Sequence, residues 1–226
     1  MRILTFFIKS LTGFLFPKKP EILVLESLPT DKLLAKLPRA TDIEEKDVIA
    51  LFDYSHPLVK EIIWEVKYGG NTVLAAKLGE ILYDTIVAEL GERNALDTEH
   101  RALLMPMPVS GKRRYERGWN QAELLAQAVK DCDEGLPAGR QGRILKYVTG
   151  QLVKTRHTES QTRTSSKSER MKNLSDSMKI LNPSAVLDRF VVLIDDVTTT
   201  GATFAEARCA LKAAGAKKII CIAVAH

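Results

Sequence analysis

The residues best equipped for chemistry lie together in "VVLIDDVTTTGAT", Val191–Thr203. Four aliphatic residues lead into Asp195 and Asp196. After Val197 come Thr198, Thr199, Thr200, Gly201, Ala202 and Thr203. Carboxylates accept hydrogen bonds from sugar hydroxyls and hold hydrated Mg²⁺. A Thr/Gly run entering a helix offers unpaired N–H groups, a partial positive charge and extra hydroxyl donors, which together make a phosphate cradle. One ligand with vicinal hydroxyls and a phosphate, a ribose 5-phosphate, satisfies both halves. The plainer alternative has the aspartates closing a loop and a threonine capping a helix. It leaves most of the hydroxyls unused, because one N-cap needs one side chain.

Placing these groups requires a strand before them and a helix after. "RFVVLID" reads as a strand, "FAEARCALKAAG" as a helix ending at Gly215, and "KKIICIAVAH" as a second strand. Strand, helix and strand in so short a span is a βαβ unit, which implies parallel pairing. Ligands of open parallel sheets sit beyond the carboxyl ends of the strands, where Asp195 and Asp196 fall. Successive strand residues point to opposite faces, so the two carboxylates are expected to serve different groups.

Upstream, "HPLVKEIIWEVKYGGN" carries Leu58, Ile62, Ile63 and Val66 at helical spacing, with Pro57 in the first turn and "GGN" at the end. Asn71 or Thr72 can cap the next helix, "VLAAKLGEILYDTIVAEL". "RALLMPMPV" reads as a buried strand that stops pairing near Pro106 and Pro108. "SGKRRYERGW" is a basic loop, and Asn120 with Glu123 forms a capping box for the helix that follows. "GLPAGRQG" has the Gly and Pro content of an insertion. "ILKYV" and "MKIL" are short strands. The polar stretch 154–173 between them has no apolar period and reads as a long loop. Residues 17–50, with four prolines and many charges, read as an irregular lead-in.

The composition admits one substantial α/β domain, or one domain with an appendage: 226 residues, 45% of them apolar. The net charge of +5 is uneven. Residues 112–172 carry +7 and the remainder −2, a field suited to phosphates of a nucleotide, of pyrophosphate or of nucleic acid, and equally to a solvated basic surface. Cys132, Cys209 and Cys221 are isolated and the four histidines scattered, so neither a zinc knuckle nor a disulfide framework is supported, and a reducing cytoplasm is expected. "MRILTFFIKSLTGFLF" is too short and broken to span a bilayer and is expected to pack on the domain as an amphipathic segment, with a membrane-surface anchor as the alternative.

At Val191–Thr203 the chain resembles the type I phosphoribosyltransferases. "DYSHPLVKEIIWEVKYGGN", "MPVSGKRRYERGWNQAELLA" and "RHTESQTRTSSKSERMKN" resemble, in order, segments of the ComF-like branch of that superfamily. The resemblance spans roughly Leu51 to His226. It implies an α/β fold, a type I phosphoribosyltransferase-like parallel sheet flanked by helices, over 51–226. Residues 1–50 are then a lead-in that has "GFLFPKKP" but lacks the four-cysteine zinc module often found there. It further implies that Asp195 and Asp196 bind the ribose hydroxyls of phosphoribosyl pyrophosphate (PRPP), act as the catalytic acids and hold Mg²⁺ directly or through water. Thr198, Thr199, Thr200, Gly201, Ala202 and Thr203 are implied as binders of the 5-phosphate.

In this fold the basic loop Gly111–Gly118 faces the pyrophosphate, so Arg113, Arg114 and Arg117 are candidates for it, with a solvated loop as the alternative. The polar loop 154–173 is a candidate lid, with Arg156, Gln161 and Arg170 making late contacts. Lys67 and Tyr68 match a motif of the family without an assigned mechanism. Trp64 and Trp119 are expected to pack, Trp119 with base stacking as a second role. Three functions stay open. The first is a Mg²⁺-dependent phosphoribosyltransferase-like enzyme linked to competence and DNA uptake. The second is a PRPP- or nucleotide-binding module without transfer, acting with a DNA-processing helicase. The third is a DNA-contacting protein that uses residues 112–172. A homo-oligomer is compatible with each.

Overall fold

Near-continuous aliphatic runs such as Val191–Ile194 and Ile219–Val224 need both faces covered, and a parallel sheet with helices on each side provides this. The computed structural model describes residues 19–41, 45, 47–96, 100–111, 114–115, 118–135, 143–155 and 177–226. The chain divides into two compact units, Met1–Lys36 and Leu37–His226. The first contains helices α1 (Pro20–Ser27) and α2 (Thr30–Leu34), where an irregular lead-in was expected. Pro20 opens α1, where its missing N–H costs nothing. The apolar N-terminal segment lies outside the described residues.

In the second unit β1 (Val48–Phe52) starts inside the stretch read as lead-in. Then follow α3 (Pro57–Trp64), a π-helical turn (Glu65–Gly69), α4 (Thr72–Glu92), β2 (Ala102–Pro106), α5 (Gln121–Gly135) and β3 (Leu145–Tyr147). Next are β4 (Leu152–Lys154), β5 (Met178–Ile180), a short 3₁₀ turn (Pro183–Ala185), β6 (Phe190–Val197), α6 (Ala202–Ala213) and β7 (Lys218–Ala225). Five strands form one sheet in the order β1-β7-β6-β2-β3, every pair parallel. The expectation of an α/β parallel sheet flanked by helices is borne out. β4 and β5 form a separate antiparallel pair. The hydrogen bond from Thr155 N–H to Ser177 O (2.9 Å) closes the loop between them. β4 lies next to the polar loop and had not been expected.

Alternate residues of the sheet face opposite sides. Leu103, Met105, Val191, Leu193, Ile219 and Cys221 join Phe204, Ala207 and Leu211 of α6 in one core, with Leu152 and Met178 of the small sheet. Leu104, Val192, Ile194, Ile220 and Ile222 are buried on the other face, where α4 and α5 pack. α4 and α5 approach so closely that a Cβ on Gly79 would stand 2.5 Å from Ala128 Cβ. Asn71 Oδ1 accepts from Leu74 N–H (3.1 Å) and caps α4 as expected. Asn120 Oδ1 accepts from Ala122 N–H (3.0 Å) at the start of α5. The other half of the expected capping box is replaced, since Glu123 pairs with Arg114.

Candidate functional site at the carboxyl end of β2 and β6

The strand order creates a crevice. After β2 the chain goes through α5 to β3, on one side. After β6 it goes through α6 to β7, on the other. The two departing loops diverge between neighbouring strands, which is the topological switch point where open sheets bind ligands. Met107 N–H donates to Ile194 O (2.8 Å), so pairing of β2 with β6 runs right up to this point.

Asp195 and Asp196 lie inside β6, which continues through Val197 in register with β7. Asp196 is buried and Asp195 half-buried. Each carboxylate is bonded to the backbone N–H that follows it. Asp195 Oδ1 turns back to accept the Asp196 N–H (2.9 Å), just as Asp196 Oδ1 accepts the Val197 N–H (3.0 Å). Burial, and then the adjacent Asp196 carboxylate, push Asp195 well above the usual carboxylate range. Asp196 Oδ2 is buried and makes no hydrogen bond. Lys67 Nζ stands 3.3 Å from it as an ion-pair partner.

Thr198 is buried where β6 hands over to the loop. Its N–H donates to Ala225 O (2.9 Å), and its carbonyl lies 3.2 Å from the His226 ring. Thr199, Thr200, Ala202 and Thr203 are exposed, and Gly201 is buried between them. Gly201 has φ +70° and is the N-cap of α6 without a side-chain cap, so the first N–H groups of that helix point outward from a left-handed residue. Thr200 Oγ1 lies 3.4 Å from the Ala202 N–H. The expected acids and the Thr/Gly loop are therefore contiguous at one strand end.

Of the basic loop, Arg114 is described and Arg113 and Arg117 lie outside the described residues. Arg114 lines a cleft of about 170 Å³ beyond β2 with Pro106, Val109, Asn120, Thr149 and Gly150. Its guanidinium is engaged by both oxygens of Glu123, at 3.2 and 3.4 Å. The lid candidates Arg156, Gln161 and Arg170 also lie outside the described residues.

Lys67 is the side chain beside the acids that pattern reading did not interpret. The helix beginning at Pro57 widens into a π-helical turn over Glu65–Gly69 and ends at Gly70, φ +59°. Trp119 closes over this turn. Its indole N–H donates to Val66 O (3.4 Å), and its ring would touch a Cβ on Gly70 at 3.2 Å. Trp119 thus packs, as expected. Trp64, also expected to pack, is instead 57% exposed against Tyr68. The signal for Lys67 was available: a lysine separated from two glycines by Tyr68 alone, at the end of a helix.

Two carboxylates near the end of a strand, one with a buried oxygen that makes no hydrogen bond, are hard donors that fit a hydrated Mg²⁺ completed by ligand oxygens. Among the described residues no group of three or more His, Cys, Asp or Glu converges to hold a metal without such help. Nor is any described helix long and apolar enough to cross a membrane.

No family model matches the chain. It is similar to the DNA utilization protein YhgH of Escherichia coli K12, 27% identical over 182 residues that cover 79% of this chain and 69% of that one. It is similar to Competence protein F of Haemophilus influenzae, 28% identical over 176 residues that cover 76% and 69%. Among solved structures, a glutamine PRPP amidotransferase from B. subtilis aligns with a TM-score of 0.40 at 19% identity, covering 72% of this chain and 30% of that one. The chain thus spans under a third of that larger protein. A hypoxanthine phosphoribosyltransferase from Trypanosoma cruzi aligns with a TM-score of 0.38 at 13% identity, covering 82% and 71%. The ComF-like resemblance read from the motifs is thus matched over most of the chain by proteins named for competence and DNA utilization.

Proposed function

We propose that the protein binds PRPP with Mg²⁺ and is a phosphoribosyltransferase-like protein serving DNA uptake or utilization. The observation that carries this is the buried, unbonded Asp196 Oδ2 at a switch point, one loop away from the left-handed Gly201 at an open helix start. The acids accept hydrogen bonds from the ribose hydroxyls, and the N–H groups and hydroxyls of Thr199–Thr203 donate to the 5-phosphate. Asp195 and Asp196 would hold Mg²⁺, which would supply charge neutralisation for the leaving group. In transfer, the bond from the anomeric carbon to pyrophosphate breaks and the electron pair leaves with pyrophosphate. The lone pair of an acceptor forms the new bond, and the acceptor proton passes to solvent. The two carboxylates favour the positive charge that develops on the sugar.

A second reading, binding without transfer, draws support from Arg114. It faces the cleft but is held by Glu123, which leaves the pyrophosphate side less cationic than the basic loop suggests. The names of the relatives support a DNA-linked role under either reading.

The test is calorimetry with PRPP and Mg²⁺, followed by mass spectrometry of mixtures with candidate bases. Binding with release of pyrophosphate identifies an enzyme, and binding alone identifies a sensor. DNA binding that falls steeply with salt, together with indifference to PRPP, refutes both readings and leaves the basic segment as the functional surface.

A further inference from the structure

The acid pair of the free protein already has a cation beside it. Asp196 Oδ1 accepts the Val197 N–H, whereas Asp196 Oδ2 is buried and makes no hydrogen bond. Lys67 Nζ stands 3.3 Å from that open oxygen, with the lysine side chain 24% and the aspartate side chain 7% exposed. Among the described residues Lys67 is the cation that pairs with these acids. The lysine is held in place by its turn. Gly70, φ +59°, donates its N–H to Glu65 O, five residues back, so this turn holds one residue more than an α turn and re-aims the side chains it carries. Trp119 fixes the turn from outside through Val66 O and the face of Gly70. Trp119 directly follows Gly118, so the residue that fixes the lysine also closes the basic loop.

We infer that Lys67 is a tethered counter-ion, which holds the open Asp196 oxygen in the ligand-free protein and which a divalent cation has to displace. The inference rests on the metal reading given above and adds how access to that site is controlled. Two adjacent carboxylates without a counter-ion gather divalent cations from solution. With an ammonium on the open oxygen they do not, because +1 and +2 on one buried oxygen repel strongly and are little screened there. The lysine is suited to yielding. Its charge is a compact point on a flexible four-carbon stem, so it can swing away without moving the turn. It leaves readily where an anion receives it, and the phosphate groups of a ligand are such anions. The free protein therefore rejects the bare metal ion and accepts one that arrives with phosphates. Until then the lysine keeps a buried carboxylate from standing without a counter-charge.

The probe is Mn²⁺ alone, a hard cation that takes the same oxygen donors as Mg²⁺ and whose free form is read by electron paramagnetic resonance. It is titrated into the full chain and into Lys67→Gln, Lys67→Met, Lys67→Arg and the double variant of Lys67→Gln with Asp196→Asn. Glutamine removes the charge while its amide still donates to Asp196 Oδ2, so the buried oxygen keeps a partner. Methionine is the second neutral variant, in case one of the two does not fold. The neutral variants are expected to bind Mn²⁺ about 10-fold more tightly than the unaltered chain. Lys67→Arg is expected to bind it as weakly as the unaltered chain, and Asp196→Asn to remove the gain. A lysine that only supports the structure gives the opposite sign, since its loss disorders the acids and weakens Mn²⁺. Equal or weaker Mn²⁺ binding by a neutral variant that is folded by circular dichroism overturns the inference, and so does a gain that survives Asp196→Asn. Calorimetry with PRPP separates this failure from failure of the site. If the neutral variants gain nothing while PRPP binding to the unaltered chain still requires Mg²⁺, the counter-ion is refuted and the metal reading stands. If PRPP binding is indifferent to Mg²⁺, the metal reading falls and the counter-ion with it.

Discussion

Asp196 presents a buried carboxylate oxygen that Lys67 approaches without a hydrogen bond, and a ligand hydroxyl is the natural donor for it. Asp196→Asn keeps the shape and removes the charge. PRPP binding is expected to weaken by about 1.5–3 kcal/mol, the range for a hydrogen bond to a charged group, with the fold retained by circular dichroism. Unchanged calorimetric affinity removes Asp196 from the site. Gly201 makes a different prediction. A Cβ there would come 2.3 Å from Glu45 Oε2, but that oxygen ends a flexible side chain and can swing away from Arg208, its ion-pair partner. The φ of +70° admits no such relief, and a β-branched residue tolerates it worst. Gly201→Val is therefore expected to lose ribose 5-phosphate binding by distorting the loop, while the thermal transition remains cooperative. A folded variant with normal binding refutes the cradle. The acids and threonines were legible because their chemistry is local. The role of Lys67 was not, because it depends on a widened turn and on Trp119, 52 residues further along the chain.

Among the elements, α4, α5 and β3 meet at Asp133. This buried carboxylate accepts the N–H groups of Ile144 and Leu145, at 3.1 and 3.2 Å, and the Tyr83 hydroxyl at 3.2 Å. Asp133→Ala leaves two backbone donors and a phenol without partners inside the fold. The expected cost is at least about 2 kcal/mol, measured by urea unfolding at neutral pH. Burial first, then the Asp133 carboxylate, raise the Tyr83 hydroxyl to about 12 from its ordinary 10.0. The unfolded chain ionises before the native one, so this contribution is whole below pH 10 and fades as pH rises toward 12. Tyr83→Phe is expected to flatten the alkaline fall of the melting temperature, and an unchanged slope refutes the linkage. Helical periodicity made α3, α4 and α5 readable. β1 and the two N-terminal helices were hidden by the charges and prolines around them. Asp133 was invisible, because nothing in a helix sequence announces that its acid caps a distant strand.

On the scale of the molecule, apolar packing holds the sheet together. Its parallel strands are apolar on both faces, and each face is closed by helices. The parallel order followed from one βαβ unit, but the placement of β1 beside β7 did not, since pairing across the whole chain leaves no local trace. The three isolated cysteines bear on this scale too. Cys132 sits half-buried on α5, Cys209 is exposed on α6, and Cys221 lies in the centre of β7. Burial holds the Cys132 thiol up to about 11 and the Cys221 thiol up to about 12, which opposes the thiolate that zinc requires. Three cysteines on three separate elements, two of them resisting ionisation, cannot be gathered around one ion without dismantling the core. The purified protein is therefore expected to keep its melting temperature after dialysis against a chelator, and to carry far less than one zinc per chain by elemental analysis. Stoichiometric zinc whose removal unfolds the chain would contradict this and require metal ligands from the segments outside the described residues.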